Sequence, residues 1–396
     1  MRSDDRPRIA FIDHIAQISG GEIALIRLVE ALGDRVEAHV VLGEDGPLHA
    51  ALRDAGATVH ILPMVDSLRD TRKESVRPGA MGLATLRQSV DYLRGLRTLL
   101  RRIDPDVVHT NSLKASLIGG VAARTARLPV LWHIRDRISD DYLPRPAVWL
   151  VRGLSFLVPA TIVVNSHETA STLPRRSTVI YDVVPPAPSL PARDSGPHPL
   201  VVGMVGRLAP WKGQDVFLRA FAEAAATRDL RAHLVGSAMF GEDAYAESLH
   251  ALCDDLEVGD RVDFRGFRDD IWGELAQLDI LVHASVTPEP FGQVVIEGMA
   301  AGLPVIAANA GGPAEVVTHD RDGLLVSPGD VSGLTRAIAD LADDAPRRAR
   351  LSAAGRVTSA AYDPECIATG VLDAYAAIDA RGHRIDRLRR RFRGAP

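Results

Sequence analysis

Cysteine is scarce in this 396-residue chain: Cys253 and Cys366 lie far apart and lack metal-ligand spacing, which excludes a disulfide-stapled scaffold and a cysteine-held zinc site. Also missing is any apolar run of about 18 residues, the length a membrane helix requires. The start, Met1-Arg-Ser-Asp-Asp-Arg6, has no apolar core of a signal peptide, so a cytoplasmic protein is expected. A net charge of -5 removes the cationic excess that wholesale polyanion binding needs, and no nucleic-acid partner is expected. Lysine is nearly absent as well, occurring only as Lys73, Lys114 and Lys212 in a chain whose default cation is arginine. No metal site is expected: Asp104-Pro105-Asp106 has a metal-binding spacing, but Pro105 just ahead of Val107-Val108 reads as a helix-to-strand turn.

At 46% hydrophobic and 24% charged residues the chain can bury two cores. Apolar runs alternate with helical patterns, which argues for α/β layers. The proline-rich stretch Pro185-Pro-Ala-Pro-Ser-Leu-Pro-Ala-Arg-Asp-Ser-Gly-Pro-His-Pro199 reads as a linker. The expected layout is therefore a first domain over 1–184, a linker over 185–198, a second domain over 199–370, and a helix with a basic tail over 371–396 that packs back on the first domain. The tail, Arg381 to Arg393, and the basic amphipathic stretch Leu83 to Ile103 leave weak contact with a membrane surface open.

The richest segment is Thr287-Pro-Glu-Pro-Phe-Gly-Gln-Val-Val-Ile-Glu-Gly-Met-Ala-Ala-Gly302. Pro290, Phe291 and Gly292 make a turn, and Gln293 to Ala301 reads as a short helix stopped by Gly302 and Pro304. Unpaired N–H groups of Gly292, Gln293 and Val294 at that helix start suit an anion. Glu289 stands just before it and Glu297 just over one turn inside. One element could thus hold a phosphate between two sets of sugar hydroxyls, the layout of a nucleotide sugar. A second segment, Val202-Gly-Met-Val-Gly-Arg-Leu-Ala-Pro-Trp-Lys-Gly-Gln-Asp215, runs from an apolar strand into a glycine turn carrying Arg207 and Lys212. An arginine fork and a lysine point charge suit a diphosphate leaving group.

Together with Ala310-Gly-Gly-Pro-Ala-Glu-Val-Val317 and Asp322-Gly-Leu-Leu-Val-Ser-Pro-Gly-Asp330, these segments resemble the retaining glycosyltransferase family 4. The resemblance implies the GT-B fold, an α/β architecture of two facing Rossmann-like domains with a cleft between them. It implies that Arg207 and Lys212 bind the donor diphosphate, that Glu289 meets the sugar hydroxyls, and that Glu297 meets the ribose. Phe264-Arg-Gly-Phe-Arg268 matches the nucleobase contact, which puts Phe267 and Arg268 in the donor site. Gln293 departs from the apolar residue common there and could add a donor group. Ile180-Tyr-Asp-Val-Val184 lacks the family's glycine before the linker.

In the first half, Arg8 to Asp13 reads as a buried strand, and Ser19-Gly20-Gly21-Glu22 as a glycine turn opening an amphipathic helix, the kind of loop that approaches a ligand closely. His133, after Pro129-Val-Leu-Trp, matches the family's active-site histidine; His109 is weighted as structural or acceptor-lining, and Arg135 and Asp136 as paired or acceptor-reaching. The implied activity is a retaining, metal-independent transfer of sugar from a nucleoside-diphosphate donor to a hydroxyl acceptor, in polysaccharide, glycolipid or secondary-metabolite biosynthesis. UDP is favoured, GDP or ADP stays open, and no cofactor is required. A sugar-nucleotide epimerase of the same fold and a non-catalytic sugar-nucleotide binder are the alternatives.

Overall fold

The computed structural model of the protein describes residues 6–64, 83–189, 199–239 and 241–379. The basic tail and most of the proline-rich segment lie outside these residues. The chain forms two compact units, one ending at Val183 and resuming at Pro364, the other spanning Val184–Asp363.

In the first unit, strands β1 (Arg8–Asp13), β2 (Glu37–Leu42), β3 (Thr58–Ile61), β4 (Val107–Thr110), β5 (Val130–Ile134), β6 (Thr161–Val164) and β7 (Thr178–Val179) form a parallel sheet in the order β3-β2-β1-β4-β5-β6-β7. Its central strands are buried on both faces, which is why they read as unbroken apolar runs rather than alternating ones. On one face Ile9, Phe11, Val107, Leu131 and Val163 pack against Leu25, Leu28 and Leu32 of α1 (Gly20–Leu32). On the other, Ile12, Val108, Trp132 and Ile162 meet Leu96 and Leu100 of α3 (Leu83–Ile103), Ala115 of α4 (Leu113–Thr125) and Val148 of α5 (Arg145–Leu154). Helix α2 (Pro47–Asp54) joins β2 to β3, and α6 (His167–Ser171) joins β6 to β7. Asp106 accepts from the Arg8 amide at 2.8 Å, tying the turn before β4 to β1.

The chain re-enters this unit through α14 (Pro364–Asp379). Ile367, Val371, Ala374, Tyr375 and Ile378 recur at helical spacing and are buried in the core under α1. That apolar stripe begins before residue 371, so the expected break at 370 falls inside a continuous helix.

In the second unit, β8 (Leu200–Val205), β9 (Leu230–Val235), β10 (Val262–Gly266), β11 (Ile280–His283), β12 (Val305–Ala308) and β13 (Leu324–Val326) form a parallel sheet in the order β10-β9-β8-β11-β12-β13. Phe217 and Phe221 of α7 (Gln214–Ala225) and Ile338 and Leu341 of α12 (Val331–Asp343) fill the core beneath it. Between strands lie α8 (Asp243–Asp255), α9 (Ile271–Leu275), α10 (Gln293–Ala301) and α11 (Gly312–Val316), and α13 (Ala345–Ser359) follows α12.

Both sheets reverse their strand order once, beside β1/β4 and beside β8/β11. In open α/β sheets the crevice outside the carboxyl ends of such strands is where ligands bind. Those ends deliver Asp13 and Asn111 in one unit, and Gly206, Arg207 and His283 in the other.

Candidate active site

Glu289 is the centre of the second unit's site. It is 6% exposed, and its Oε1 receives three donors: Lys212 Nζ at 2.6 Å, His283 Nε2 at 2.9 Å, and the Ser285 hydroxyl. Burial alone would push the carboxyl up, but the Lys212 ammonium and the His283 ring outweigh it and hold Glu289 well below the usual carboxylate range. The Ala308 amide donates to His283 Nδ1 at 3.5 Å, which fixes the ring proton on Nε2, facing Glu289. With all three donors on Oε1, Oε2 keeps its lone pairs for a hydroxyl.

Backbone geometry forces this approach. Gly213 follows Lys212 with φ 75°, and a Cβ there would lie 2.2 Å from the Ala284 carbonyl oxygen, so the turn carrying Lys212 docks on the end of β11 only with glycine. Gly292, at φ 79°, likewise leaves 2.5 Å between an added Cβ and Pro313. It caps α10, which Gly302 ends in the same left-handed conformation. The first amides of α10, at Gln293 and Val294, have no partner within the helix, as at any helix start. The Gln293 side-chain amide nitrogen is buried without a partner among the described residues. Glu297, also buried, sits four residues on and shares that helix face.

Arg207 Nε lies 3.2 Å from Glu242, and its guanidinium stands 5.7 Å from the Trp211 ring centroid; Lys212 Nζ lies over the same ring at 4.5 Å. Burial raises the Glu242 carboxyl above its ordinary value, and the Arg207 charge opposes that rise. Beyond the end of β10, Phe267 is 56% exposed, and Arg268 Nε pairs with Glu274 at 3.3 Å. The sequence-derived set therefore divides: Lys212 and Glu289 meet directly, Arg207 is engaged by Glu242, and Arg268 is tied to Glu274.

In the first unit the Gly20–Gly21 turn opens α1. Ser19 caps the helix reciprocally with Glu22, whose carboxylate accepts from the Ser19 amide at 3.1 Å. Burial, and then the Asp13 charge, lift Glu22 to about 7. Asn111 Nδ2 donates to Asp13 at 2.6 Å and to the Gly21 carbonyl at 3.2 Å, fastening the turn to the end of β4. A Cβ at Gly20 or Gly21 would meet nothing within 4 Å, so packing inside the protein does not demand glycine there. His133, at the end of β5, is 2% exposed; its Nδ1 is 3.0 Å from His109 Nε2, and its own Nε2 is buried without a partner among the described residues. Arg135 pairs with Asp182 at 2.6 Å and also donates to Asn111.

His283, Ser285, Glu242 and Tyr375 escaped the sequence reading. His283 and Ser285 carry a legible signal, as polar residues closing an apolar strand just ahead of Glu289. Tyr375 carries none, since it reaches His109 across 266 residues.

Comparison with known proteins finds family matches in both halves of the chain. The Glycosyl transferase 4-like domain family matches residues 19–187, and the Glycosyl transferases group 1 family matches residues 192–358. The chain is 31% identical over 294 residues to a lipopolysaccharide core biosynthesis glycosyltransferase, LpsD, of Rhizobium meliloti, covering 72% of this chain and 78% of that protein. It is 30% identical over 314 residues to the D-inositol 3-phosphate glycosyltransferase of Streptomyces scabiei, covering 71% and 70%. Among solved structures it resembles Anabaena Alr3699/HepE in complex with UDP and glucose, with a TM-score of 0.79, 27% identity, and coverage of 93% of this chain and 99% of that one. Two Rossmann-like units, each with polar residues at its strand switch, and family matches across both halves lead to one statement: this chain belongs to the GT-B glycosyltransferases of the family 4 type.

Proposed function

We propose that the protein is a retaining, metal-independent glycosyltransferase that moves a hexose from a UDP-sugar to a hydroxyl acceptor. The observation that carries this reading is the Lys212–Glu289 pair, in which three donors converge on one carboxylate oxygen and leave the other for a sugar hydroxyl. Arg207, Lys212 and the amides at the start of α10 neutralise the diphosphate as it gains charge in leaving. Glu297 accepts from the ribose hydroxyls, and Phe267 and Arg268 border the base. The Gly20–Gly21 turn and His133 serve the sugar and acceptor. UDP is preferred over GDP because Anabaena Alr3699/HepE in complex with UDP-glucose is alike over 93% of this chain, whereas the GDP-mannose-dependent mannosyltransferase of Mycobacterium tuberculosis aligns with 41% of it.

The test uses a labelled UDP-sugar with and without a hydroxyl acceptor. Transferred label supports the reading; epimerised donor identifies an epimerase; binding without conversion identifies a binding subunit.

A lipid-linked acceptor is the favoured class, since α5 and the turn after it expose Trp149 at 76%, Phe156 at 60% and Leu157 at 71%. Sedimentation with vesicles of anionic and zwitterionic lipid tests this. Protein that stays in the supernatant with both contradicts it.

A further inference from the structure

His133 is the end of a chain of three buried rings. Tyr375 Oη, from α14, lies 2.7 Å from His109 Nδ1, and His109 Nε2 lies 3.0 Å from His133 Nδ1. Tyr375 and His109 are fully buried. His109 on β4 and His133 on β5 fall on the same face of the sheet, because the register pairs His109 with Leu131, two residues before His133. That face is the one α14 covers, so the returning helix delivers a phenol directly to the strand ends.

Each ring nitrogen is either a donor or an acceptor, and only two proton arrangements run through the chain. In the first, Tyr375 donates to His109 Nδ1, His109 Nε2–H donates to His133 Nδ1, and His133 carries its proton outward on Nε2. In the second every bond reverses: His109 Nδ1–H donates to the phenol oxygen, His133 Nδ1–H donates to His109 Nε2, and His133 Nε2 is a bare acceptor. Without substrate each leaves one buried donor unsatisfied, the His133 Nε2–H in the first and the phenol O–H in the second. An oxygen placed at His133 Nε2 breaks the tie. It completes every donor of the first arrangement, whereas the second still strands the phenol proton in the core, which a buried hydroxyl strongly resists.

We propose that Tyr375 and His109 are positioning residues that make His133 a hydrogen-bond donor through Nε2 to an oxygen of the bound sugar. The inference rests on the reading that His133 meets the donor sugar. Supporting it, burial first and the Arg135 guanidinium second keep both imidazoles well below the usual histidine range, so each carries one proton. Burial likewise holds the Tyr375 phenol well above its ordinary value and therefore protonated. Arg135 itself is engaged by Asp182 and Asn111.

Removing the phenol oxygen removes the bias. With phenylalanine at 375, each arrangement strands one group at His109 Nδ1 whatever is bound, so the preference for an outward Nε2 proton weakens. The ring and its packing stay, which keeps folding out of the comparison.

The experiment is nitrogen-15 NMR of histidine-labelled full-length protein with UDP or with UDP-glucose, combined with transfer kinetics. In the wild type with UDP-glucose, His133 should be protonated on Nε2 and not on Nδ1. Tyr375→Phe should show a mixed tautomer and a kcat roughly tenfold lower, with UDP affinity by calorimetry unchanged. A second pair separates positioning from packing: His109→Gln keeps an amide that can donate to His133 Nδ1 and should retain much more turnover than His109→Leu. If His133 responds to UDP-glucose but carries its proton on Nδ1, or if Tyr375→Phe keeps the wild-type tautomer and rate, the proposal is overturned. If His133 gives the same signals with UDP and with UDP-glucose, the placement of His133 at the sugar fails, and this proposal fails with it.

Discussion

Replacing Lys212 by methionine isolates the interaction on which the donor site turns. The ammonium lies 2.6 Å from Glu289 Oε1, with the two side chains 15% and 8% exposed. Removing one partner of a buried ion pair costs about 3–5 kcal/mol, since the other charge stays desolvated. The lower end applies here, because His283 and Ser285 still donate to the same oxygen. For a unit of this size each kcal/mol moves Tm by about 2–4 °C, so a loss of roughly 6–12 °C is expected at pH 7. The pH dependence has a definite sign. Glu289 is held below its unfolded value of 4.5 in the wild type, so its stabilising contribution is present above that pH and is lost only as pH falls through the depressed folded value. In Lys212→Met the buried carboxyl loses its strongest restraint and keeps only His283 and Ser285, so it takes up a proton earlier, which relieves the variant; its deficit should shrink between pH 7 and pH 4. Adding Glu289→Gln should recover stability, with a coupling of about 1–3 kcal/mol between the two positions. Thermal melts together with urea melts of the two single variants and the double, at both pH values, measure all of this. Strict additivity, or a deficit that does not change with pH, would refute the reasoning.

The two glutamates of the site should separate by role: Glu297→Ala should weaken binding of free UDP in calorimetry, and Glu289→Ala should spare it while abolishing transfer. Equal loss of UDP affinity in both would mean the donor sugar is misplaced. Glu22 should make the first unit less stable as the solution becomes more alkaline. Its folded value is lifted from 4.5 to about 7, so stability is greatest below 4.5 and falls as pH rises through 7, by at most about 3 kcal/mol. Glu22→Gln, which can still accept from the Ser19 amide, should flatten that decline and raise Tm at pH 8; an unchanged slope would show that Glu22 is not the group responsible.

Local chemistry made parts of this molecule legible in its sequence. Helix α10 begins at Gln293 and ends at Ala301 between two left-handed glycines, as the Phe291-Gly292 and Gly302 signals require. Lys212 and Glu289 each stood out in the sequence, but their contact across 77 residues did not; it places a compact ammonium between a carboxylate and the Trp211 ring, which accounts for lysine where arginine is the rule. What stayed hidden depends on distant parts of the chain. Glu242 meets Arg207 from the start of α8, and no local pattern marks it. Tyr375 looks like one more apolar position of an amphipathic helix, and only the return of α14 beneath the first sheet gives its hydroxyl a partner. The boundary expected at 370 falls within α14 for a related reason: its buried stripe, starting at Ile367, finds its core only where the chain returns to the first unit at Pro364.

The central claim is that Arg207 and Lys212 stabilise a nucleoside-diphosphate leaving group while a sugar is transferred. The most direct measurement is release of UDP from a UDP-sugar in the presence of acceptor, by the wild type and by Arg207→Ala and Lys212→Ala, with circular dichroism to confirm folding. Acceptor-dependent release by the wild type, reduced by about a hundredfold or more in each folded variant, is the predicted result. Wild-type rates in either variant would contradict the account.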